Sequence, residues 1–310
     1  MLSAKDALYV ALGLFSLIFL ARFVPAWSAA RRRGPSTHPA DSAGAPSAAE
    51  LAIGFVTNFF DSLGIGSFAP TTSLFKLLAL VPDECIPGTL NVGHAIPTVV
   101  QAAAFLSIVE VDVTTLVAMI AAAVLGAWLG AGVVAQWPRR HVQVGMGLAL
   151  IVAASLMLMT NLELFPAGGE ALGLVGPKLL FAIGVNFLLG ALMTLGIGLY
   201  APCMILVSLL GMNPRAAFPI MMGSCAFLMT AGSLRFIEKR AFSLRASLGL
   251  LVGGVPGVLV GAFIVKSLPL TMIRWLVVVV VVYTATSMLR SAARERAAAS
   301  GGTNALEPAS

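Results

Sequence analysis

The sequence contains the stretch Leu63-Gly64-Ile65-Gly66, and the same four residues return 132 positions later as Leu195-Gly196-Ile197-Gly198. The same shift, applied without a gap across residues 55–87, aligns Ala69-Pro70 with Ala201-Pro202. Leucine and glycine are common in this chain, so single matches mean little, but a gapless cluster that includes glycine and proline positions is informative. It predicts a chain built from two related halves, each with an interrupted segment at the same place.

The composition places this chain in a lipid bilayer. It is 59% hydrophobic and 10% charged, whereas soluble domains carry about 25% charged residues. Its net charge of +6 lies mainly in loops and the tail, which bears on orientation in the membrane and predicts no nucleic-acid partner. The three cysteines, Cys85, Cys203 and Cys225, have no C-x-x-C spacing, so the sequence predicts no metal site and no cofactor.

Seven apolar stretches have the length of ordinary membrane spans. They are 7–21, 88–109, 112–135, 141–160, 216–234, 242–265 and 271–289. Residues 51–80 and 179–211 differ, because Gly-Ile-Gly and a proline interrupt each of them near its middle. Each arm of such a segment has about 13 residues, or roughly 20 Å of helix, which is too short to cross a core roughly 30 Å thick.

The predicted organisation has six parts: an N-terminal transmembrane helix, a flexible cytoplasmic linker, a first repeat, an external loop, a second repeat and a flexible cytoplasmic tail. Their bounds are 1–26, 27–50, 51–160, 161–178, 179–290 and 291–310. The fold class predicted is all-α, a polytopic membrane helix bundle with two inverted repeats, each containing a broken re-entrant helix hairpin.

The re-entrant interpretation depends on the distribution of charge. If the broken segments are hairpins, 14 of the 19 Lys and Arg residues fall on one side of the membrane and 5 on the other. If they are full crossings, the split is 12 against 7 and Arg139-Arg140 lies outside. Because cytoplasmic loops are enriched in Lys and Arg, the charges favour hairpins in a multi-pass protein of the cell inner (plasma) membrane.

The two glycine turns are the predicted substrate site. Glycine permits a sharp turn that a side chain would fill, and Pro70 and Pro202 suit the first turn of the helix that follows. Two helix N-termini would then direct unpaired NH groups at one place, which favours an anion. The alternative is that the glycines only allow close helix packing. The candidate substrate-binding residues are Gly64, Gly66, Ser67, Thr71, Thr72, Asn91, Gly196, Gly198 and Tyr200.

Two residues are candidates for proton coupling. Asp61 is the only acidic residue deep within an apolar arm, and its partner in the second repeat is Met193. His94 belongs to a polar stripe with Asn91, Thr98 and Gln101 along one face of a helix. Each has a plainer interpretation: Asp61 as a hydrogen-bond acceptor for the turn, and His94 as a fixed donor.

The glycine pairs Gly126/Gly130 and Gly257/Gly261 have the spacing of small residues at helix contacts. This spacing predicts contacts between helices and no chemistry of its own.

At the two broken segments the chain resembles the TauE/SafE sulfite exporter family, whose members have two related halves that each open with a glycine-rich, proline-containing segment. The resemblance covers about residues 50–290 and leaves the N-terminal helix and both tails outside. It implies a transporter of small, mostly sulfur-containing or carboxylated anions such as sulfite, thiosulfate and sulfonates. The chain departs from the family's frequent run of three glycines, with Gly64-Ile65-Gly66 and Gly196-Ile197-Gly198 instead.

The function predicted is therefore a secondary transporter, or permease, for a small anion, coupled to protons and working by alternating access around a midplane site. Its partners would be the anion, protons and the lipid bilayer. Two alternatives remain open: an anion channel, and an intramembrane enzyme using Asp61, His94 or Ser67. The enzyme lacks support from motifs, because no H-E-x-x-H, G-x-S-x-G or paired-aspartate motif occurs in the sequence.

Overall fold

The computed structural model describes residues 4–33, 38–42, 44–62, 66–164, 168–195, 199–213 and 216–264, with residues 282, 285–286, 289–290 and 292–294. No strand occurs in these ranges, which agrees with the predicted all-α class. The helices are α1 (Ala4–Arg33), α2 (Ala48–Ser62), α3 (Phe68–Leu77), α4 (Ile86–Ile108), α5 (Val113–Val134), α6 (Arg139–Asn161), α7 (Gly176–Met193), α8 (Tyr200–Leu209), α9 (Ala217–Lys239) and α10 (Leu244–Ile264).

Five helices within the described ranges are long and apolar enough to cross a membrane: α1, α5, α7, α9 and α10. The predicted spans at α1, α5, α9 and α10 are among them. The α7 helix is also among them, although the sequence assigns its residues to one arm of a broken segment. The α4 helix, which carries the polar stripe, is not, and α6 has a shorter apolar stretch at Arg140–Leu156. The predicted span 271–289 lies almost wholly outside the described residues.

Both broken segments consist of two helices, but their arms are unequal. The first arms, α2 and α7, have 15 and 18 residues, and the second arms, α3 and α8, have 10 each. The α2 helix begins early because Ser47 and Glu50 form a capping box: the Ser47 NH donates to Glu50 Oε2 at 2.6 Å, and the Glu50 NH donates to Ser47 Oγ at 3.2 Å. The predicted equal arms of about 13 residues are therefore wrong.

The second arms end early because the chain leaves the helix in a left-handed conformation. Ala79 follows α3 with φ of 49°, and Gly211 follows α8 with φ of 90°, at positions 132 residues apart. In both places a backbone hydrogen bond closes the helix end, from the Leu80 NH to Phe75 O at 3.1 Å and from the Met212 NH to Val207 O at 3.0 Å. The two halves therefore share local structure as well as sequence.

The helices of the two halves pack against each other in an exchanged arrangement. The α2 helix packs on α10, and its repeat counterpart α7 packs on α5, the counterpart of α10. At the centre α4 packs on α9, again its own counterpart, and both are almost fully buried. The first helix of each half therefore packs mainly on a helix of the other half.

Close contacts at glycine keep both exchanged pairs in the same register. A Cβ added at Gly126 would lie 1.9 Å from the carbonyl oxygen of Phe187, and one added at Gly257 would lie 2.2 Å from that of Phe55. Phe187 and Phe55 are repeat counterparts, as are the two glycines. The structure thus confirms that these glycines lie at helix contacts.

One end of the bundle, called the basic end here, carries Arg33, Arg240 and Arg245. Arg33 and Arg240 both bind the carboxylate of Asp41, in a turn of 3-10 helix at Pro39–Asp41. Arg245 pairs with Glu50 in the first turn of α2, with 3.0 Å between Nε and Oε1. Within the predicted linker 27–50, residues 27–33 thus continue α1 and residues 39–41 contact the helix ends, so this part of the chain has more regular structure than its composition suggests.

The end of α3 also lies at the basic end. The hydroxyl of Thr89, in the first turn of α4, accepts a hydrogen bond of 2.8 Å from the NH of Ser243, directly before α10. Lys76, in the last turn of α3, pairs with Asp83 a few residues before α4, with 2.6 Å between Nζ and Oδ2. The beginning of α2 and the end of α3 are therefore at the same end of the bundle.

The second broken segment has both its ends at the opposite end of the bundle. The NH of Asp112, which precedes α5, donates to Leu172 O at 2.9 Å, and the NH of Asn213, which follows α8, donates to Ala171 O at 2.8 Å. Residues 171–172 lie just before α7, so the beginning of α7 and the end of α8 are neighbours. The α9 helix begins here, at Ala217, and ends at the basic end.

Candidate functional site

Gly66 and the two prolines are the described residues of the two predicted turns. Gly66 has φ of +86°, and Pro70 and Pro202 each fall in the first turn of the helix that follows, α3 and α8. The predicted site residues Gly64, Gly196 and Gly198 lie outside the described residues.

The two broken segments meet through Tyr200 and Asp61. Tyr200 is the first residue of α8, and its hydroxyl lies 3.2 Å from Oδ2 of Asp61, near the end of α2. The same hydroxyl lies 3.1 Å from Oε1 of Gln101 on α4. All three side chains are buried, with Asp61 2% exposed. A predicted substrate-binding residue of the second half thus contacts a predicted proton-coupling residue of the first half.

Whether every hydrogen bond in this cluster can form depends on the protonation state of Asp61. The orientation of the Gln101 amide is fixed, because its Nε2 donates to the backbone oxygen of Asp61 at 3.2 Å and so leaves Oε1 towards Tyr200. Two acceptors then face one hydroxyl proton, and an ionised Asp61 has none to add. A protonated Asp61 completes the chain, since Oδ2–H donates to Tyr200 and Tyr200 donates to Gln101.

Ser67 lies beside the same carboxyl group, with its hydroxyl and its backbone NH near Asp61. The thiol of Cys225, on α9, contacts Met193 Sδ at 3.7 Å. Met193 is the repeat counterpart of Asp61.

His94 forms a second buried cluster with Thr71 and Asn58. Its Nδ1 lies 3.1 Å from Asn58 Oδ1, and the Asn58 amide is oriented by donating from Nδ2 to Gly54 O at 2.7 Å. Because Asn58 Oδ1 only accepts, the Nδ1 of His94 carries a proton.

The other nitrogen of His94 admits two arrangements. Thr71 Oγ1 lies 3.1 Å from His94 Nε2 and 2.7 Å from Ser67 O. In neutral His94, Nε2 accepts from the threonine hydroxyl; in charged His94, Nε2 donates and the hydroxyl proton turns to Ser67 O. The geometry therefore accommodates both charge states by rotation of one hydroxyl.

Two other predicted residues take no part in these clusters. Asn91 is fully buried and donates from Nδ2 to Pro87 O at 2.8 Å within its own helix, while its Oδ1 has no hydrogen-bond partner among the described residues. Thr72 is also fully buried, and its hydroxyl has no described partner. The structure brings Asp61, Ser67, Thr71, His94 and Tyr200 into linked contacts and leaves Asn91 and Thr72 outside them.

Sequence reasoning missed two members of the site and one polar contact in the second half. Gln101 was predicted only as part of the polar stripe with His94, although Gln101 contacts Tyr200 beside Asp61 and Asn58 binds His94 directly. In the second half, Asn186 of α7 donates to Met119 O at 2.7 Å and to Ser224 Oγ at 3.3 Å. A signal for Asn186 was present, because a polar side chain within an apolar segment must find a buried partner.

Comparison with known proteins gives one result. The chain matches the family described as Sulfite exporter TauE/SafE over residues 1–157 and 178–309. The match includes the N-terminal helix and nearly all of the tail, so it is wider than the resemblance that the broken segments alone carry. No curated protein and no solved structure matches the chain. Because this family match covers nearly the whole length of the chain, the chain belongs to the TauE/SafE sulfite exporter family, which makes it a membrane transporter of sulfite or a related anion.

Proposed function

We propose that the protein is a secondary transporter that carries a small anion together with a proton, by alternating access around the contact between its two broken segments. The anion would be sulfite, a sulfonate or a related sulfur-containing or carboxylated anion. The proton would be carried by Asp61, with His94 as the alternative carrier.

The observation that carries this proposal is the contact between Tyr200 and Asp61. It joins the short helix of one half to the first helix of the other, and its hydrogen bonds are complete only when Asp61 holds a proton. A titratable group at the contact between two moving halves is well placed to link protonation to their rearrangement.

The packing supports a hairpin at each broken segment and an inverted relation between the repeats. The first segment begins and ends at the basic end, marked by Glu50 and Lys76. The second begins and ends at the opposite end, marked by the contacts of Ala171 and Leu172. Hairpins that enter from opposite sides and meet at their turns are the arrangement of inverted-repeat transporters.

The charges support an orientation with the basic end in the cytoplasm. Arg33, Arg240 and Arg245 lie there. Arg140, in the first turn of α6, lies nearby, because Gln143 of the same helix binds Asp83 at 2.9 Å. Positively charged residues near span ends are retained on the cytoplasmic side of a cell inner (plasma) membrane.

The test uses purified protein in liposomes with labelled sulfite as the probe. We expect Asp61→Asn to exchange internal and external sulfite in counterflow but to lose accumulation driven by a pH gradient, because the carboxamide cannot release a proton. Glu110→Gln, which changes an exposed acid, is the matched control and should behave as the unaltered protein. His94→Gln should lose accumulation only if the histidine carries the proton.

The other outcomes are distinct. Accumulation by Asp61→Asn that still follows the pH gradient would remove Asp61 from the coupling mechanism. Dissipation of a sulfite gradient without counterflow in the unaltered protein would indicate a channel, and chemical change of the anion would indicate an enzyme.

A further inference from the structure

The carboxyl group of Asp61 lies beside two residues that the sequence assigns to the substrate. The hydroxyl of Tyr200 lies 3.2 Å from Asp61 Oδ2, and the hydroxyl and backbone NH of Ser67 lie near the same group. Ser67 precedes α3 in the first half, and Tyr200 begins α8 in the second half. The Asp61 carboxyl group thus already lies where α3 and α8 begin. Its two oxygen atoms are a feature that carboxylates share with sulfur oxyanions.

These donors have little capacity left for a second acceptor. A hydroxyl has one proton and the Ser67 NH has one, so each can serve one strong hydrogen bond. Thr71, the next hydroxyl along α3, lies within hydrogen-bond distance of Ser67 O and His94 Nε2. An anion that binds through Ser67 and Tyr200 must therefore take the place of the Asp61 carboxyl group.

We propose that Asp61 occupies the anion site of the substrate-free protein, and that the substrate binds by displacing its carboxyl group from Ser67 and Tyr200. This inference rests on the proposed function for the identity of the substrate. It adds that Asp61 competes for the same donors as the anion, whereas a proton carrier beside the site would act on the anion only through its charge.

The two mechanisms predict different orders of affinity among variants at position 61. If Asp61 acts only by repulsion, Asp61→Asn and Asp61→Ala should bind the anion equally, because both side chains are neutral. If it occupies the site, Asp61→Ala should bind most tightly, since the carboxamide oxygen of Asn still accepts from Tyr200 and fills the space. Asp61→Asn should then lie between Asp61→Ala and the unaltered protein.

The experiment uses formate, which is the carboxyl group without the rest of the side chain. Thermal unfolding of purified protein is measured at one fixed pH with increasing formate. Formate should stabilise Asp61→Ala at a concentration about tenfold or more below any effect on the unaltered protein, because a hydrogen bond to a charged group contributes enough for about tenfold in affinity. The double variant Asp61→Ala/Tyr200→Phe lacks one donor and should lose most of this stabilisation. Asp61→Ser is the second variant if Asp61→Ala does not fold.

Sulfite is then titrated against the same variants, and the expected order of affinity is Asp61→Ala, Asp61→Asn, unaltered protein. Equal formate effects on Asp61→Ala and the unaltered protein would overturn the inference, as would formate stabilisation that survives the loss of the Tyr200 hydroxyl. Sulfite transport by the unaltered protein without these effects would leave the proposed function standing and remove the occupied site. If formate stabilises Asp61→Ala but the protein transports no anion, the occupied site would stand and the proposed function would be excluded.

Discussion

Gly66 shows how one residue can be required for its conformation alone. Its φ of +86° lies in the region that L side chains rarely adopt, while a Cβ built on it would meet nothing within 4 Å among the described residues. The constraint that the described part of the turn shows is therefore its backbone conformation.

We therefore expect Gly66→Val to destabilise the protein by about 1–3 kcal/mol, the range for a residue held in a sparsely populated backbone region. Gly66→Asn should cost clearly less, because asparagine tolerates positive φ better than a β-branched residue does. Thermal unfolding of the two variants in the same detergent gives the comparison. Equal losses would mean that the space around the turn, and not its conformation, excludes side chains.

The sequence singled out some residues of the buried polar clusters and could not single out others. Asp61 and His94 were predicted because ionisable groups in apolar segments are rare, and Tyr200 because of its place in the repeat. The role of Gln101 could not be predicted, since it depends on contacts with Asp61 and Tyr200, which lie 40 and 99 positions away along the chain. No local pattern encodes such distances.

At the scale of the helices, the glycine spacing predicted close contacts but not the partners. Gly126 of α5 and Gly257 of α10 each lie against a phenylalanine carbonyl of the opposite half, and nothing in the spacing names that helix. The lengths of the broken arms were also mispredicted, because the Ser47–Glu50 cap and the left-handed Ala79 set the ends of α2 and α3. Both depend on short-range hydrogen bonding that hydropathy does not report.

Substitution of these glycines tests the contact directly. Gly126→Ala should destabilise the protein by about 1–3 kcal/mol, since the added methyl would lie 1.9 Å from Phe187 O and the helices must separate. Gly132→Ala, in the same helix with nothing within 4 Å of its added Cβ, is the matched control and should be neutral or stabilising. A similar loss in both variants would show that the contact with Phe187 does not set the cost of a side chain at Gly126.

At the scale of the whole molecule, the ends of the helices predict which loops share a side of the membrane. We expect single cysteines at Glu84 and Arg140, both exposed, to react with a membrane-impermeant reagent only from the cytoplasm, and one at Glu163 only from outside. The native Cys85, Cys203 and Cys225 are buried and should react slowly. Reaction at position 84 from outside would exclude the hairpin arrangement of the first broken segment.

The exchanged packing of α2 on α10 also affects how the protein is made. Glu50 and Arg245, which join these two helices, are separated by 195 positions in the chain. At a synthesis rate of about 5–20 residues per second, α2 exists for roughly 10–40 s before its partner leaves the ribosome. During that interval the surface around Gly54, which fits closely against Leu250, has only lipid or the insertion machinery to cover it. When the first half has been synthesised, the face of α2 that packs on α10 is therefore still uncovered. The membrane domain can assemble only after the second half has been made.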